Sequence, residues 1–328
     1  MRRIKSTGWL LLMAVVTACS EETIVHTLDA TTDRKLVFAY EKELTVADID
    51  FKPYGIRVSG DTLFVANRAE NAHGIYLLNR NTGALLGSIT GWEQNEEQKT
   101  FDNQLSDVEV SDDYIFALNQ SSRVDIFRRS DLSYVATAGK TGWSGARLMQ
   151  CESVVLVDDV LYIRNKSDFK AVRVEDCLTN PGNSVKILAA NDGGITANNP
   201  FGLESVCAHD GEVYVTDYVS KTIFVADIAA IADGKIPFDR SFVLDVIPVG
   251  IDFYGDDMYV VCQNNSVRHI NPRTGELLNT YTTFGGNRSW GTPGRICFCG
   301  DDFYLLGRAG SGIVKGRVEY IEISYTEE

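Results

Sequence analysis

Six times along the chain a short apolar strand enters a turn built on Asp or Gly. It leaves into a second strand that opens with an apolar residue and an aromatic: VSGDTLFVAN, VSDDYIFALN, LVDDVLYIRN, AHDGEVYVTD, FYGDDMYVVC and FCGDDFYLLG. The aromatic members, Phe64, Phe116, Tyr162, Tyr214, Tyr259 and Tyr304, follow one another at 52, 46, 52, 45 and 45 residues, the period of a four-stranded propeller blade. A third alternating strand follows each pair, as in Gly74-Ile75-Tyr76-Leu77-Leu78 and Val124-Asp125-Ile126-Phe127. After turns such as Asn81-Thr82-Gly83 and Pro272-Arg273-Thr274-Gly275 a fourth strand is expected. No fourth strand follows the third of the last repeat, around Val318 to Tyr325, while Lys35 to Tyr40 precede the first repeat without a partner. Pairing the two would close a ring and remove an exposed edge. The pattern therefore predicts an all-β chain: a six-bladed β-propeller of four-stranded blades over residues 34–328, closed by the N-terminal strand completing the last blade.

Upstream of the repeats the pattern changes. Arg2, Arg3 and Lys5 precede an apolar run from Trp9 to Val16, much shorter than the roughly 20 residues that span a bilayer, which reads as a secretory signal. The run ends in Val16-Thr17-Ala18-Cys19, which resembles the lipobox of bacterial lipoproteins. The resemblance implies cleavage after residue 18 and lipidation of Cys19, with residues 19–33 as a polar tether. Ser20-Glu21-Glu22 resembles the acidic export signal that sends lipoproteins of Bacteroidetes to the outer face of the outer membrane. The membrane partner is then reached through the lipid at Cys19, and the propeller itself stays in water.

Loss of residues 1–18 would remove three positive charges and deepen the net charge from −14 to −17, which disfavours nucleic acid as a partner. With 44% hydrophobic residues the chain can fill a large core. Beyond Cys19 there are Cys151, Cys177, Cys207, Cys262, Cys297 and Cys299, without the tight spacing of a metal site. They are read as buried small hydrophobes in preference to disulfides.

Several repeats begin with a Pro-x-Gly-apolar step: Pro53-Tyr54-Gly55-Ile56, Pro200-Phe201-Gly202-Leu203 and Pro248-Val249-Gly250-Ile251. With the Gly-Asp turns, these steps resemble NHL-type and TolB-like six-bladed propellers, the fold shared by sugar lactonases and by many bacterial lipoproteins. That resemblance implies a fold and leaves the chemistry open.

In such a ring the between-blade connections share one face with the loops joining second and third strands. Trp92, Trp143 and Trp290 all fall there, beside Phe101, Phe201, Arg147 and Arg288. Aromatic planes next to polar groups suit sugar rings, flat ligands or a protein hot spot; equally, these rings can cover the tops of neighbouring blades. Asn67, Asn119, Asn165, Asp217 and Asn264 end the second strands on the same face, either as ligand contacts or as turn-forming residues. Asp107, Glu152, Glu204 and Arg295 stand at the start of first strands, near the axis. The three carboxylates can hold Ca²⁺ through hard oxygen ligands, or can pair with Arg295 and Arg57. The hairpins on the opposite face, including Asp112-Asp113, Asp158-Asp159 and Asp256-Asp257, read as turn chemistry.

Two functions follow. The resemblance to lactonases implies a Ca²⁺-dependent hydrolase, but those enzymes place a glutamate in the first blade and asparagines at the next entrances. This chain has Tyr54-Gly55-Ile56, Asp107 and Glu152 there. There is no GxSxG elbow, no HExxH helix and no convergence of His26, His73, His209 and His269. The reading that needs fewer special residues is a binding module for a small molecule, a glycan or an envelope protein, possessing the candidate contacts Trp92, Trp143, Trp290, Asn119, Asn165, Asp217, Arg288 and Arg295. Propeller lipoproteins of this build often accompany nutrient uptake at the outer membrane.

Overall fold

The second strands are apolar at almost every position because neighbouring sheets cover both of their faces. In Thr62–Asn67, Tyr114–Asn119, Glu212–Asp217 and Asp257–Cys262 every residue after the first is buried. The computed structural model describes residues 31–142, 144–165, 168–191, 203–231, 234–307 and 312–325. Residues 36–320 form the propeller unit. Residues 1–35 with 321–328 form a second unit, of which the described parts, 31–35 and 321–325, are extended strand.

Six four-stranded antiparallel sheets make the ring. From the axis outward, blade 1 is Pro53–Ser59, Thr62–Asn67, Gly74–Asn79 and Leu85–Ile89. Blade 2 is Leu105–Val110, Tyr114–Asn119, Arg123–Arg128 and Tyr134–Gly139. Blade 3 is Ser153–Val157, Val160–Arg164, Phe169–Arg173 and Ala189–Asn191, with a short helix, Val174–Thr179, between its last two strands. Blade 4 is Leu203–His209, Glu212–Asp217, Thr222–Asp227 and Arg240–Val243. Blade 5 is Pro248–Tyr254, Asp257–Cys262, Ser266–Ile270 and Leu277–Tyr281. Blade 6 takes Pro293–Cys299, Asp302–Gly307 and Ile313–Tyr325 from the end of the chain and its outer strand, Thr31–Leu44, from the beginning. The closure expected from the unpaired N-terminal strand is the one observed. Among the described residues no helix is long and apolar enough to cross a membrane.

The core is a ring of six interblade clusters, and the repeating aromatic fills each in turn. Phe64 packs between blades 1 and 2, Phe116 between 2 and 3, and Tyr162 between 3 and 4. Tyr214 packs between blades 4 and 5, Tyr259 between 5 and 6, and Tyr304 between 6 and 1. The last of these joins the two ends of the ring, and its hydroxyl donates to the Arg80 carbonyl of blade 1 at 3.2 Å. All six cysteines of the described region are free thiols and five are buried, in keeping with their reading as small hydrophobes. Burial pushes the Cys177 and Cys262 thiols up to about 12.

Ring closure depends on Phe38 in the N-terminal strand. It is 1% exposed and meets Tyr259, Tyr281, Trp290 and Phe303 at centroid separations of 5.0 to 5.7 Å, mostly edge-on. Lys315 of the neighbouring strand pairs with Glu41 at 2.6 Å. Phe38→Ala should therefore cost about 3–5 kcal/mol in urea unfolding, the usual loss for a buried aromatic truncated to alanine. A loss below about 1 kcal/mol would mean that this strand is not what holds the ring shut.

Candidate binding site at the mouth of the propeller axis

The first strands line the axis, and five of the six share one irregularity. Pairing with the second strand slips by one residue between Pro53 and Gly55, Leu105 and Asp107, Leu203 and Val206, Pro248 and Gly250, and Pro293 and Arg295. A bulge of this kind re-aims the extra residue. Here the residues within the slips include Tyr54, Glu204, Val249 and Gly294, and all four border one depression at the top of the axis. The glycine of the Pro-x-Gly step has a separate cause. A Cβ on Gly55 would lie 2.5 Å from the Asp107 Cα of blade 2, and one on Gly250 would lie 2.6 Å from the Gly294 carbonyl of blade 6. First strands of adjacent blades touch backbone to backbone, so no side chain fits there.

That approach leaves the axis-facing edge of each first strand without a ladder partner, and the preceding blade supplies side-chain acceptors. Asp107 of blade 2 accepts from Ser153 Oγ at 2.9 Å and Val154 N at 3.1 Å of blade 3. Glu109 accepts from Leu156 N at 3.2 Å, Ser153 Oγ from Val206 N at 3.3 Å, and Asp252 of blade 5 from Phe298 N of blade 6 at 2.8 Å. Two arginines bridge the blades around the axis. Arg57 of blade 1 meets Glu109 at 2.7 Å and donates to the Val154 carbonyl at 3.2 Å. Arg295 of blade 6 meets Asp107 at 2.6 Å and donates to the Glu152 carbonyl at 3.0 Å. Burial works to lower the pKa of both guanidiniums, but the facing carboxylates outweigh it and hold both above the usual arginine value. Burial raises Glu109 and Asp252 above the ordinary carboxylate range, against the arginine charge and the backbone N–H groups that favour their ionised forms.

Arg295 also lines both the mouth above and a polar chamber below that contains Arg57, Asp107 and Asp252, so it stands between them. The mouth is a small depression with a cavity volume of about 30 Å³. Pro53, Val249 and Leu306 line it together with Tyr54, Glu204 and Arg295. The Arg68 and Arg295 guanidiniums lie 4.1 and 5.5 Å from the centre of the Tyr54 ring. Glu204 acts electrostatically on both Arg295 and Arg164. Arg164, 5% exposed, reaches Glu152 at 3.5 Å, and its Nε has no hydrogen-bond partner among the described residues. Burial lowers the pKa of Arg164 more than Glu152 and Glu204 restore it.

Of the residues singled out from sequence, Arg295 and Glu204 line this mouth, with Asp107 and Glu152 bonded to Arg295 just beneath or beside it. Asp107 is engaged by Arg295, Ser153 and Val154. Among the described residues no three His, Cys, Asp or Glu side chains come together as metal ligands; Asp107 pairs with Arg295 and Glu152 with Arg164. Trp92 and Trp290 do not converge. Trp92 is 8% exposed between blades 1 and 2, stacked on Tyr134 at 5.6 Å; Trp290 is 5% exposed between blades 5 and 6, 4.5 Å from Phe284. Trp143 lies outside the described residues. Arg288 lies over the Tyr40 ring at 3.4 Å and pairs with Glu43 on blade 6. Asn119, Asn165 and Asp217 are fully buried and tie down loops: Asn119 bonds Asp102 and Ser121 N, Asn165 bonds Asp168, and Asp217 bonds Val219 N and Ser220. Tyr54, Arg68, Arg164, Val249 and Leu306 were not anticipated as site residues. The available signal was the middle position of the Pro-x-Gly step, which the bulge turns toward the mouth.

No known protein family matches the sequence, and no curated protein matches it. Among solved structures, the β-propeller domain of Cps50 (Swd1) from Myceliophteria thermophila superposes with a TM-score of 0.57 at 10% identity, covering 86% of this chain and 100% of that one. The computationally designed Ika8 protein superposes with a TM-score of 0.50 at 10% identity, covering 81% and 70%. At such identity the likeness concerns fold alone. It agrees with a β-propeller fold and carries no function.

Two outcomes test the axis network. Asp107→Ala would leave Arg295 buried without its carboxylate and should cost about 3–5 kcal/mol in chemical denaturation; a near-neutral result would remove the ion pair from the account of stability. Asp252 has a raised folded-state pKa, so its protonation favours the fold. That contribution is complete below the usual value of 3.8 and is lost as pH rises through the folded value. Asp252→Asn keeps an acceptor for Phe298 N and discards the charge. It should melt higher than the parent at pH 7, with the advantage shrinking as the pH is lowered toward 4; a lower melting temperature at pH 7 contradicts the assignment.

Proposed function

We propose that this chain is an exported lipoprotein of the NHL-type or TolB-like six-bladed group. In this reading it is anchored through Cys19 to the outer membrane of a Bacteroidetes cell and is exposed at the surface. Its propeller acts as a binding module in nutrient uptake, with the mouth of the axis as the binding site. The anchor rests on the charged and apolar leader, on Val16-Thr17-Ala18-Cys19 and on Ser20-Glu21-Glu22, all outside the described residues. The group rests on the Pro-x-Gly steps and Gly-Asp turns.

The observation that carries the binding role is the mouth itself. Three bulged first strands bring Tyr54, Glu204 and Val249 from blades 1, 4 and 5 to one depression, although nothing in the ladder requires their side chains to meet. The carboxylates deeper in the axis are engaged by backbone N–H groups and arginines, which leaves them poorly placed to activate water. A depression lined by both apolar and polar side chains, Glu204 and Arg295 among them, supports a binding role more than a catalytic one.

Anchoring is tested by expressing the full chain and a Cys19→Ser variant in the native host. The parent should partition with membranes and label with palmitate, and the variant should be released; surface exposure predicts digestion by protease added to intact cells. A variant that remains membrane-bound and unlabelled parent protein would together sink the lipoprotein reading. The mouth is tested by thermal melting of the detergent-solubilised chain against small nutrients, since a ligand that binds only the folded state raises the melting temperature by mass action. Trp92 and Trp290 are buried and do not line the mouth, so neither serves as a fluorescent reporter of it.

A further inference from the structure

We propose that the rim of blades 5, 6 and 1 docks on a membrane surface of zwitterionic lipid. The assignment rests on the lipid anchor at Cys19 and adds to it a contact made by the folded propeller itself. Large exposed apolar side chains are unevenly placed around the ring. Leu277 and Leu278 open the outer strand of blade 5, Leu85 and Leu86 open that of blade 1, and Tyr320 lies on the third strand of blade 6, the blade between them. Each of the five is 46 to 57% exposed. The outer strands of blades 2 and 3, Tyr134–Gly139 and Ala189–Asn191, expose no large apolar residue. A blade's outer strand is a sheet edge, where leucine pairs facing water are a liability that charge or a cover normally removes.

All five lie at the end of the blades that carries the acidic hairpins. Leu85 pairs with Leu78 beside the Gly60-Asp61 turn, and Leu277 pairs with Ile270 beside the Gly255-Asp256 turn. Val318 N donates to the Asp301 carbonyl at 2.7 Å, so Tyr320 is two residues past the hairpin of blade 6. The anchored chain joins the propeller at this end as well. Lys315 pairs with Glu41, and Gly316 lies against the Ala39 carbonyl, which brings Leu36 level with the residues around Tyr320. Leu36 follows Cys19 by 17 positions, a span of at most about 60 Å. A lipid held that close makes membrane contact an intramolecular event, so that weak apolar contacts suffice. The Tyr320 ring, apolar with a polar tip, suits the headgroup level. Charges beside the rim are matched in the pairs Arg80–Asp61 at 3.7 Å and Arg317–Asp302 at 3.9 Å, and the exposed Asp256 and Asp301 disfavour an anionic surface. Docked this way, the mouth at the opposite end of the first strands faces the medium.

The test reconstitutes the full chain, produced with its anchor, into phosphatidylcholine vesicles that carry a doxyl-labelled phosphatidylcholine as quencher. A thiol-reactive fluorophore is attached in turn to Leu85→Cys, Leu278→Cys, Tyr320→Cys and Val243→Cys. The background is Cys299→Ser, because Cys299 is the one thiol of the described residues that is not buried. Val243 is the control: it is 78% exposed but pairs with Thr222 at the opposite end of blade 4. The doxyl lipid should quench the three rim labels about twofold or more and leave the Val243 label unchanged. Replacing Leu85, Leu86, Leu277 and Leu278 together by Ser should abolish the quenching at Tyr320→Cys, and thermal melting checks that each variant is folded. Flotation of the same samples reads the anchor separately. A chain that floats with the vesicles while no rim label is quenched keeps the anchor and overturns the docking; equal quenching at Val243 overturns it too, since no one rim is then preferred. Rim emission that changes with protein density and ignores the doxyl lipid means that a second copy covers the leucines, which also overturns it. A chain that stays out of the floated fraction overturns the anchor and the docking together.

Discussion

A strand edge that faces a propeller axis has backbone donors and acceptors with no further strand to pair with, and each one buried unpaired costs about 1–3 kcal/mol. This constraint organises the centre of the molecule. Asp107, Glu109, Ser153 and Asp252 each reach from one first strand to the backbone N–H groups of the next. Three of the four acceptors are carboxylates, so they need cations, and Arg57 and Arg295 supply them across the blades. Ion pairing at the axis is thus a consequence of edge satisfaction. Asp107, which looks from sequence like a metal ligand, is occupied for the same reason.

The outer parts of the blades show how far local pattern carries. The aromatic of each second strand is legible because it recurs at the blade period within an apolar run, and each one fills the interblade cluster that its position implies. The N-terminal strand is legible for a different reason: it is apolar and has no partner of its own, and the last repeat lacks one strand. The fold follows from these two signals together.

The candidate site was legible only in part. Tryptophan in a polar connection reads equally well as a contact or as a cover. Trp92 and Trp290 turn inward because Tyr134, Phe127, Phe284 and Phe38 offer aromatic edges and faces that solvent does not. Asn119, Asn165 and Asp217 end strands where a loop must reverse, and their side chains go to that loop's own backbone and neighbours. Tyr54 escaped notice because a bulge shifts a residue from one side of the strand to another, and a one-residue slip in pairing has no signature in hydrophobic periodicity.

The same edge constraint decides where a ligand can go. Because the arginine bridges fill the centre between the mouth and the chamber beneath it, a ligand entering from above meets Arg295 and stops, and recognition is confined to the residues of the depression. Those residues are held by strands that interlock around the whole ring through six clusters, so little ordering remains for a ligand to impose. A shallow site gains affinity mainly through such preorganisation, since the area it can bury is small. The network that satisfies the inner edges therefore also sets the depth of the site.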